Sequence, residues 1–215
     1  DSESRQYVIA DVSKIITDFI NAPQENYEVF FTSNATEAVN LLAEYKQSKA
    51  GSADHFILNS ILEHSSNDLP WRNGEGDNVL RIAADKDGFI DLEELDATLK
   101  SYNLNHEYGN KRINLVGLTG ASNVHGTCQN IADISKIVHA YNAELLIDAA
   151  QLIAHKPIDM QMWGIDYLVF SGHKIYAPFG AGALIAKKSL INISDTYWAD
   201  VKQAGEQNAA GIAAL

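Results

Sequence analysis

Apolar positions along this chain switch between a helical period and short continuous runs, and the switching predicts an α/β domain. Residues 7–20 carry apolar groups at Val8, Val12, Ile15, Ile16 and Phe19, the spacing of one helix face. Val29-Phe30-Phe31 then reads as a buried strand ending at Thr32-Ser33-Asn34. Asn34 as N-cap, with Glu37 three residues later, predicts a capped helix directly behind it. Strand-like runs recur at 55–60, 79–84, 113–119, 144–148, 165–170 and 182–187. Helical patterns lie between several of them, at 91–100 and at 131–141, the latter through Ile131, Ile134, Ile137 and Val138. Strands that are apolar almost throughout are buried on both faces, as happens when helices cover both sides of a mostly parallel sheet. The expected architecture is three layers, α/β/α, around a mostly parallel mixed sheet. The polar runs 73–78 and 101–112 predict connections.

In such sheets ligands sit beyond the carboxyl ends of the strands. Residues 32–36, Asn123, Asp148 and residues 171–174 all follow predicted strand ends, so the topology can gather them into one crevice. Within Ser171-Gly172-His173-Lys174, Lys174 is a candidate Schiff-base lysine. Its amine must lose a proton to attack an aldehyde, and His173 beside it can supply part of the field that favours this. Asp148 ends the apolar run Leu145-Leu146-Ile147. A carboxylate there is costly unless paired, and a pyridinium N–H is a suitable partner; a helix N-cap role is the alternative. Gln151 can donate to a phenolate oxygen or serve as an ordinary loop amide. Ala35 and Thr36 open the predicted helix, where free N–H groups, the helix dipole and a hydroxyl suit a phosphate. Ser171 and His173 can complete that cup. His64 can stack on a pyridine face and relay protons, although a lone histidine after a strand is more often a plain hydrogen-bonding residue. Asn123 can hydrogen-bond a ring oxygen. Together these groups make the set that pyridoxal phosphate (PLP) requires, with Lys174, His64 and Asp148 as the catalytic candidates.

The composition narrows the partners. The chain has 215 residues, 46% hydrophobic and 20% charged, with a formal net charge of −12. That charge disfavours nucleic acid or an anionic membrane surface as a partner. No run approaches the roughly 18 apolar residues of a membrane span. The single cysteine, Cys128, allows no intrachain disulfide and points to a reducing, cytoplasmic location. Asp1-Ser2-Glu3-Ser4 lacks the charge-then-apolar pattern of a signal peptide. Asn34-Ala35-Thr36 and Asn192-Ile193-Ser194 match the glycosylation sequon, by chance in a cytosolic protein. Asp85, Asp87, Asp91 and Glu94 around Gly88 imitate a calcium loop, but the first ligand position is Ala83 and the run before it is strand-like. A strand, a turn at Asp87-Gly88 and a capped helix is the better reading. The histidines show no zinc spacing, so no metal is expected. No Gly-x-Gly-x-x-Gly follows a strand, which weakens a dinucleotide reading.

Five segments resemble, in order and spacing, the class V aminotransferase family of fold-type I PLP enzymes, above all its cysteine desulfurase and selenocysteine lyase branch. They are Phe31-Thr32-Ser33-Asn34-Ala35-Thr36-Glu37-Ala38-Val39-Asn40; Glu63-His64 through Asn67 with Pro70-Trp71; Ser122-Asn123-Val124-x-Gly126; Asp148-Ala149-Ala150-Gln151; and Ser171-Gly172-His173-Lys174 with Pro178 and Gly180. The resemblance implies a PLP-dependent transferase-like large domain, a small amino-acid substrate and a homodimer. It implies Lys174 as the Schiff-base lysine, Asp148 at the ring nitrogen and His64 stacked on the ring. Gln151 and Asn123 would meet the ring oxygen, while Ala35, Thr36, Ser171 and His173 would hold phosphate. Elimination of sulfur or selenium from a cysteine-type substrate is the first expectation. Amino transfer, epimerisation, other lyase chemistry and a non-catalytic domain keeping the fold are the alternatives. Residues 1–204 would be the PLP-binding large domain without the family's N-terminal arm. Residues 205–215 would begin the connection to a small domain that is absent. Gly205-Glu206-Gln207-Asn208 resembles the family's Gly-Thr-x-Asn return, with Glu206 in place of the threonine. Cys128 follows the Ser-Asn-Val-x-Gly segment and reads as a core or loop thiol, not the sulfur-accepting nucleophile.

Overall fold

Strict alternation inside each strand decides which helical layer its side chains meet. A computed structural model of the chain describes residues 2–50, 54–72, 78–122, 126–177, 180–213 and 215. Its strands are β1 (Tyr27–Thr32), β2 (His55–Ser60), β3 (Val79–Ile82), β4 (Arg112–Thr119), β5 (Glu144–Asp148), β6 (Tyr167–Ser171) and β7 (Gly182–Lys187). They form one seven-stranded sheet in the order β1-β7-β6-β5-β4-β2-β3. Neighbours run parallel from β3 to β6, and β7 is antiparallel to both β6 and β1. The carboxyl ends of β1, β2, β4, β5 and β6 therefore share one edge, as the sequence predicts for its candidate residues.

Val29, Phe31, Leu145, Ile147, Leu168, Phe170, Ala183 and Ile185 enter one core. Helices α1 (Ser2–Phe19), α3 (Leu92–Leu99) and α4 (Ile131–Ala140) cover it, with the short α5 (Leu152–His155) and α6 (Met160–Trp163). The intervening Phe30, Leu146, Tyr167, Val169, Leu184 and Ala186 face the opposite core, under α2 (Ala35–Ala50) and α7 (Thr196–Glu206). In β4 a bulge shifts the alternation by one residue, so that Ile113 enters the first core and Leu115 the second. Phe56 pairs with Ile113 and Ile57 with Leu115, leaving Asn114 as the extra residue, its amide against the His55 ring.

The predicted strands at 55–60, 144–148 and 182–187 coincide with β2, β5 and β7. The run 79–84 pairs only to Ile82, and Ala84 then bridges Ile90 across a turn. In that turn Asp85 Oδ1 accepts the N–H groups of Asp87 and Phe89, Asp91 caps α3, and Glu94 accepts the Ala83 N–H. Three of the carboxylates that imitate a cation loop, those of Asp85, Asp91 and Glu94, thus serve backbone donors. Among the described residues no group of histidine, cysteine, aspartate or glutamate is placed to hold a metal ion. The segment read as a polar connection after residue 100 begins with a π-helical stretch, Lys100–Leu104. Its order comes from Asn103, whose amide donates to the carbonyls of Ile113 and Tyr141 and accepts the Ile113 N–H. No described helix is long and apolar enough to cross a membrane.

Helix α7 turns Trp198, Val201 and Gly205, spaced as one helix face, to the sheet, a face the sequence reading passes over. Trp198 anchors it, fully buried with ring centroids 4.6 Å from Phe30 and 4.9 Å from Tyr45. Beside it Tyr197 and Val201 pack on the same core, and the Tyr197 hydroxyl donates to the Leu41 carbonyl at 2.6 Å. At its end a Cβ on Gly205 would lie 2.1 Å from the Phe31 carbonyl oxygen, so only glycine lets the helix lie on β1. Gly205→Ala is expected to cost about 1–3 kcal/mol. That corresponds to a melting temperature lower by several degrees, which calorimetry or circular dichroism can measure. Beyond α7 the chain turns back toward the β6 exit. Asn208 Nδ2 donates to the Gly180 carbonyl, α8 (Ala209–Ile212) follows, and Leu215 packs on Gly172.

Candidate active site

Four loops meet at the carboxyl edge of the sheet. The first leaves β1. Asn34 Oδ1 accepts the Glu37 N–H at 2.9 Å, as the predicted N-cap should, and Thr32 Oγ1 donates to the Asn34 carbonyl at 2.9 Å. The Glu37 carboxylate returns to the N–H and hydroxyl of Ser33, both at 2.6 Å, one residue earlier than a standard capping box. The helix start is pressed against the sheet, because a Cβ on Gly182 would lie 2.8 Å from the Asn34 Cα. Ala35, buried at that start, donates its N–H to the buried Ser171 hydroxyl at 2.8 Å. Thr32 and Ser171 both pair with Gly182, which is why β1 and β6 can share this contact. Thr36 lies exposed one residue further along.

The second loop leaves β6 as a tight turn, Gly172–Ile175, bearing half-buried His173 and exposed Lys174. Tyr176 closes it with φ 68°, its N–H bonded to the Gly172 carbonyl. A tyrosine in the left-handed region costs roughly 1–2 kcal/mol, strain placed beside the lysine. The third loop leaves β5. Asp148 is only 5% exposed, and among the described residues its carboxylate accepts one hydrogen bond, from the Ala150 N–H at 3.0 Å. Burial pushes the Asp148 carboxyl above the usual carboxylate range, while the Ala150 N–H and the His64 ring pull it back. Gln151 is half-buried at the start of α5, and its side chain makes no capping bond.

The fourth loop leaves β2 and carries His64. The ring is exposed, and its Nδ1 accepts the Ser66 N–H at 3.2 Å with the Ser66 hydroxyl 2.9 Å away. A neutral His64 therefore carries its hydrogen on Nε2. Glu63, its neighbour in sequence, accepts the Thr119 N–H at 3.0 Å, and Thr119 pairs with Asp148, so this loop reaches the end of β5.

Glu63 is the residue the sequence reading passes over. Burial pushes its carboxyl up to about 7, and the nearby Asp148 adds to the rise. Bonds from Ser60, Thr119 and Asn67 oppose it. The signal was present as a carboxylate three residues beyond a buried strand, with Asn67 and Trp71 following at helical spacing. Folded protein holds this proton up to about pH 7, whereas an unfolded chain releases it near 4.5. Stability thus falls as pH rises through that window, by at most about 1.4 kcal/mol per pH unit from this group.

The structure brings Ala35 to Ser171 and His64 to Asp148, with Lys174 on the turn after the neighbouring strand. Asn123 and Pro178 lie outside the described residues. Cys128 is half-buried against the α1–α4 core, consistent with a structural thiol.

Residues 3–198 match the family model described as Aminotransferase class-V. A probable cysteine desulfurase of Halalkalibacterium halodurans is 33% identical over 175 residues, 80% of this chain and 40% of that relative. A cysteine desulfurase of Dickeya dadantii is 32% identical over 185 residues, 84% and 42% of the two chains. The solved cysteine desulfurase CsdA of Escherichia coli superposes with a TM-score of 0.75 at 26% identity, covering 87% of this chain and 45% of its own. The NifS-like protein of Rickettsia africae gives 0.74 at 25% identity, over 99% and 59%. The chain spans about two fifths of the length of the relatives it matches in sequence.

Proposed function

The chain belongs to the class-V aminotransferase family, which uses pyridoxal phosphate, and from that premise we propose that residues 1–204 are the cofactor-binding domain of an enzyme that removes sulfur from cysteine. The observation that carries the reading is Asp148. It is a buried carboxylate at a strand end with a single backbone donor and no ion pair among the described residues. The protonated ring nitrogen of PLP is the donor such an acceptor calls for. The start of α2 fits the other end of the cofactor. There a backbone N–H and a hydroxyl already meet, held close to the sheet by Gly182. A phosphate would take up Ala35, Thr36, Ser171 and His173, and Asn123 and Gln151 would meet the ring oxygen.

When bound, PLP supplies an electrophilic aldehyde and a protonated ring that draws electrons from the substrate's α-carbon. Asp148 keeps the proton on the ring nitrogen. Lys174 would hold the aldehyde through its amine and, as a free amine, would hold and move the proton at the substrate's α-carbon. His64, tied through Nδ1 to Ser66, would cover the ring and keep water from it. The sulfur chemistry is supported by the relatives named as cysteine desulfurases. Family membership also supports a homodimer and a cytoplasmic location, to be tested by sedimentation of the full-length protein and by cell fractionation.

Incubation of the full-length protein with PLP, cysteine and a thiol reductant tests the reaction. Alanine and sulfide in equal amounts are expected. Keto acid without sulfide moves the assignment to amino transfer, and neither product overturns it. A narrower check is Ser171→Ala, which removes the acceptor of the Ala35 N–H and is expected to weaken PLP binding about tenfold, the equivalent of one net hydrogen bond. Ser171→Thr should restore most of that affinity in an absorbance titration.

A further inference from the structure

Glu63 takes part in none of the steps above, yet three donors from different parts of the chain converge on its carboxyl. Ser60 Oγ, at the end of β2, donates to Oε1 at 2.7 Å. The Thr119 N–H, at the end of β4, donates to the same oxygen at 3.0 Å. Asn67 Nδ2 donates to Oε2 at 2.7 Å. Asn67 is itself buried, and its Oδ1 accepts the Trp71 indole N–H at 3.1 Å. An indole nitrogen only donates, so Trp71 fixes which way the Asn67 amide points. The amide must present its NH₂ to Glu63, and position 63 must accept. The same Asn67 donates its backbone N–H to the His64 carbonyl at 2.9 Å. His64 is thus bracketed by a carboxyl tied to two strand ends and by an asparagine tied to that carboxyl.

We propose that Glu63 is a positioning residue: it clamps residues 61–72 to the ends of β2 and β4 and so holds the His64 ring on the face of bound PLP. The inference rests on the reading that His64 covers that face. An apolar residue could fill the space but would leave the Thr119 N–H and the Asn67 amide without an acceptor, at the cost of buried unpaired donors. A glutamine supplies one acceptor and turns an NH₂ toward a donor, and the Asn67 amide cannot turn to relieve it while Trp71 holds its oxygen. Burial, with a smaller push from Asp148, raises the Glu63 carboxyl to about 7, so acceptor geometry more than charge is what the carboxyl contributes. Any proton it holds points to Ser60, whose hydroxyl can rotate, since the Thr119 N–H and the Asn67 NH₂ can only donate.

The test is a double-mutant cycle on the full-length protein, read as the PLP dissociation constant from visible absorbance. Glu63→Gln and His64→Ala are each expected to weaken binding about tenfold, and the combined variant to be no weaker than His64→Ala alone. Losses that multiply mean that Glu63 does not act through His64, and overturn the proposal. Adding Trp71→Phe to Glu63→Gln frees the Asn67 amide to turn its oxygen toward the glutamine. Affinity should return to within about threefold of wild type, and a double variant no better than Glu63→Gln also overturns it. Circular dichroism checks each fold. If Glu63→Gln does not fold, Asn67→Ala cuts the other end of the clamp and enters the same cycle with the same expected result. Wild-type protein that gains no Lys174-dependent absorbance sinks the PLP reading and this proposal with it. A wild type that loads PLP while the cycle is additive sinks the proposal alone.

Discussion

Lys174→Ala protein incubated with PLP is expected to gain no visible absorbance band and to lose at least about a thousandfold in turnover, the range that covalent anchoring and proton transfer together supply. The reasoning is topological. Lys174 stands on the turn that leaves β6 at the edge where Asp148, Ser171 and His64 also emerge. Lys187 ends β7 and Lys188 follows it, and because β7 runs antiparallel to β6 they lie at the opposite edge and cannot substitute. Lys174 is exposed, and replacing an exposed side chain usually changes stability by no more than about 0.5 kcal/mol. Lost absorbance would therefore report lost chemistry, which an unchanged melting curve checks. Lys174→Arg keeps the cation and should fail in the same way, because a guanidinium does not lose its proton to attack an aldehyde. Either variant retaining the band would remove Lys174 from its role and leave PLP without an anchor.

The edge that gathers these residues was legible in the sequence because strand signals and chemistry coincide there. β5 and β6 are near-continuous apolar runs, and parallel strands place the end of each such run, Asp148 and Ser171, on one side. The Asn34 cap was equally legible, since capping uses residue types at fixed offsets. Other features were hidden because they depend on tertiary approach rather than on local pattern. The Ser171–Ala35 bond joins residues that only Gly182, standing between β1 and β6, brings together. α7 is seated by Trp198, Tyr197 and Val201 and by the close approach of Gly205 to Phe31, a face of few apolar residues that the sequence reading passes over. Glu63 looks from sequence like a solvated carboxylate beside a more conspicuous histidine. Its importance follows only from the Thr119 N–H, 56 positions away, reaching its oxygen.

Asp148→Asn is expected to separate anchoring from electron withdrawal. Asparagine keeps the shape and can still accept the Ala150 N–H, so the loop after β5 should hold and PLP should still attach to Lys174 with its visible band. A neutral amide, however, does not hold the proton on the ring nitrogen, and turnover should fall by about 10²–10³, the usual scale for losing one preorganised electrostatic contact. The apo protein should respond in the opposite sense. Burial raises the Asp148 carboxyl in the folded chain, so folded protein binds this proton more tightly than unfolded chain does, and stability declines as pH rises above the ordinary value of 3.8. Asp148→Asn removes that decline and should raise the melting temperature at neutral pH while abolishing most activity. It should also lower the pH at which Glu63 ionises, because the Asp148 charge contributes to holding that proton. Thermal melts across pH 4–8 on apo protein, with turnover measured on loaded protein, read both effects. Wild-type turnover in the variant would mean that the buried carboxylate serves the loop and not the ring. A variant that melts lower at neutral pH would mean that the Asp148 charge is compensated by a partner rather than stored for one.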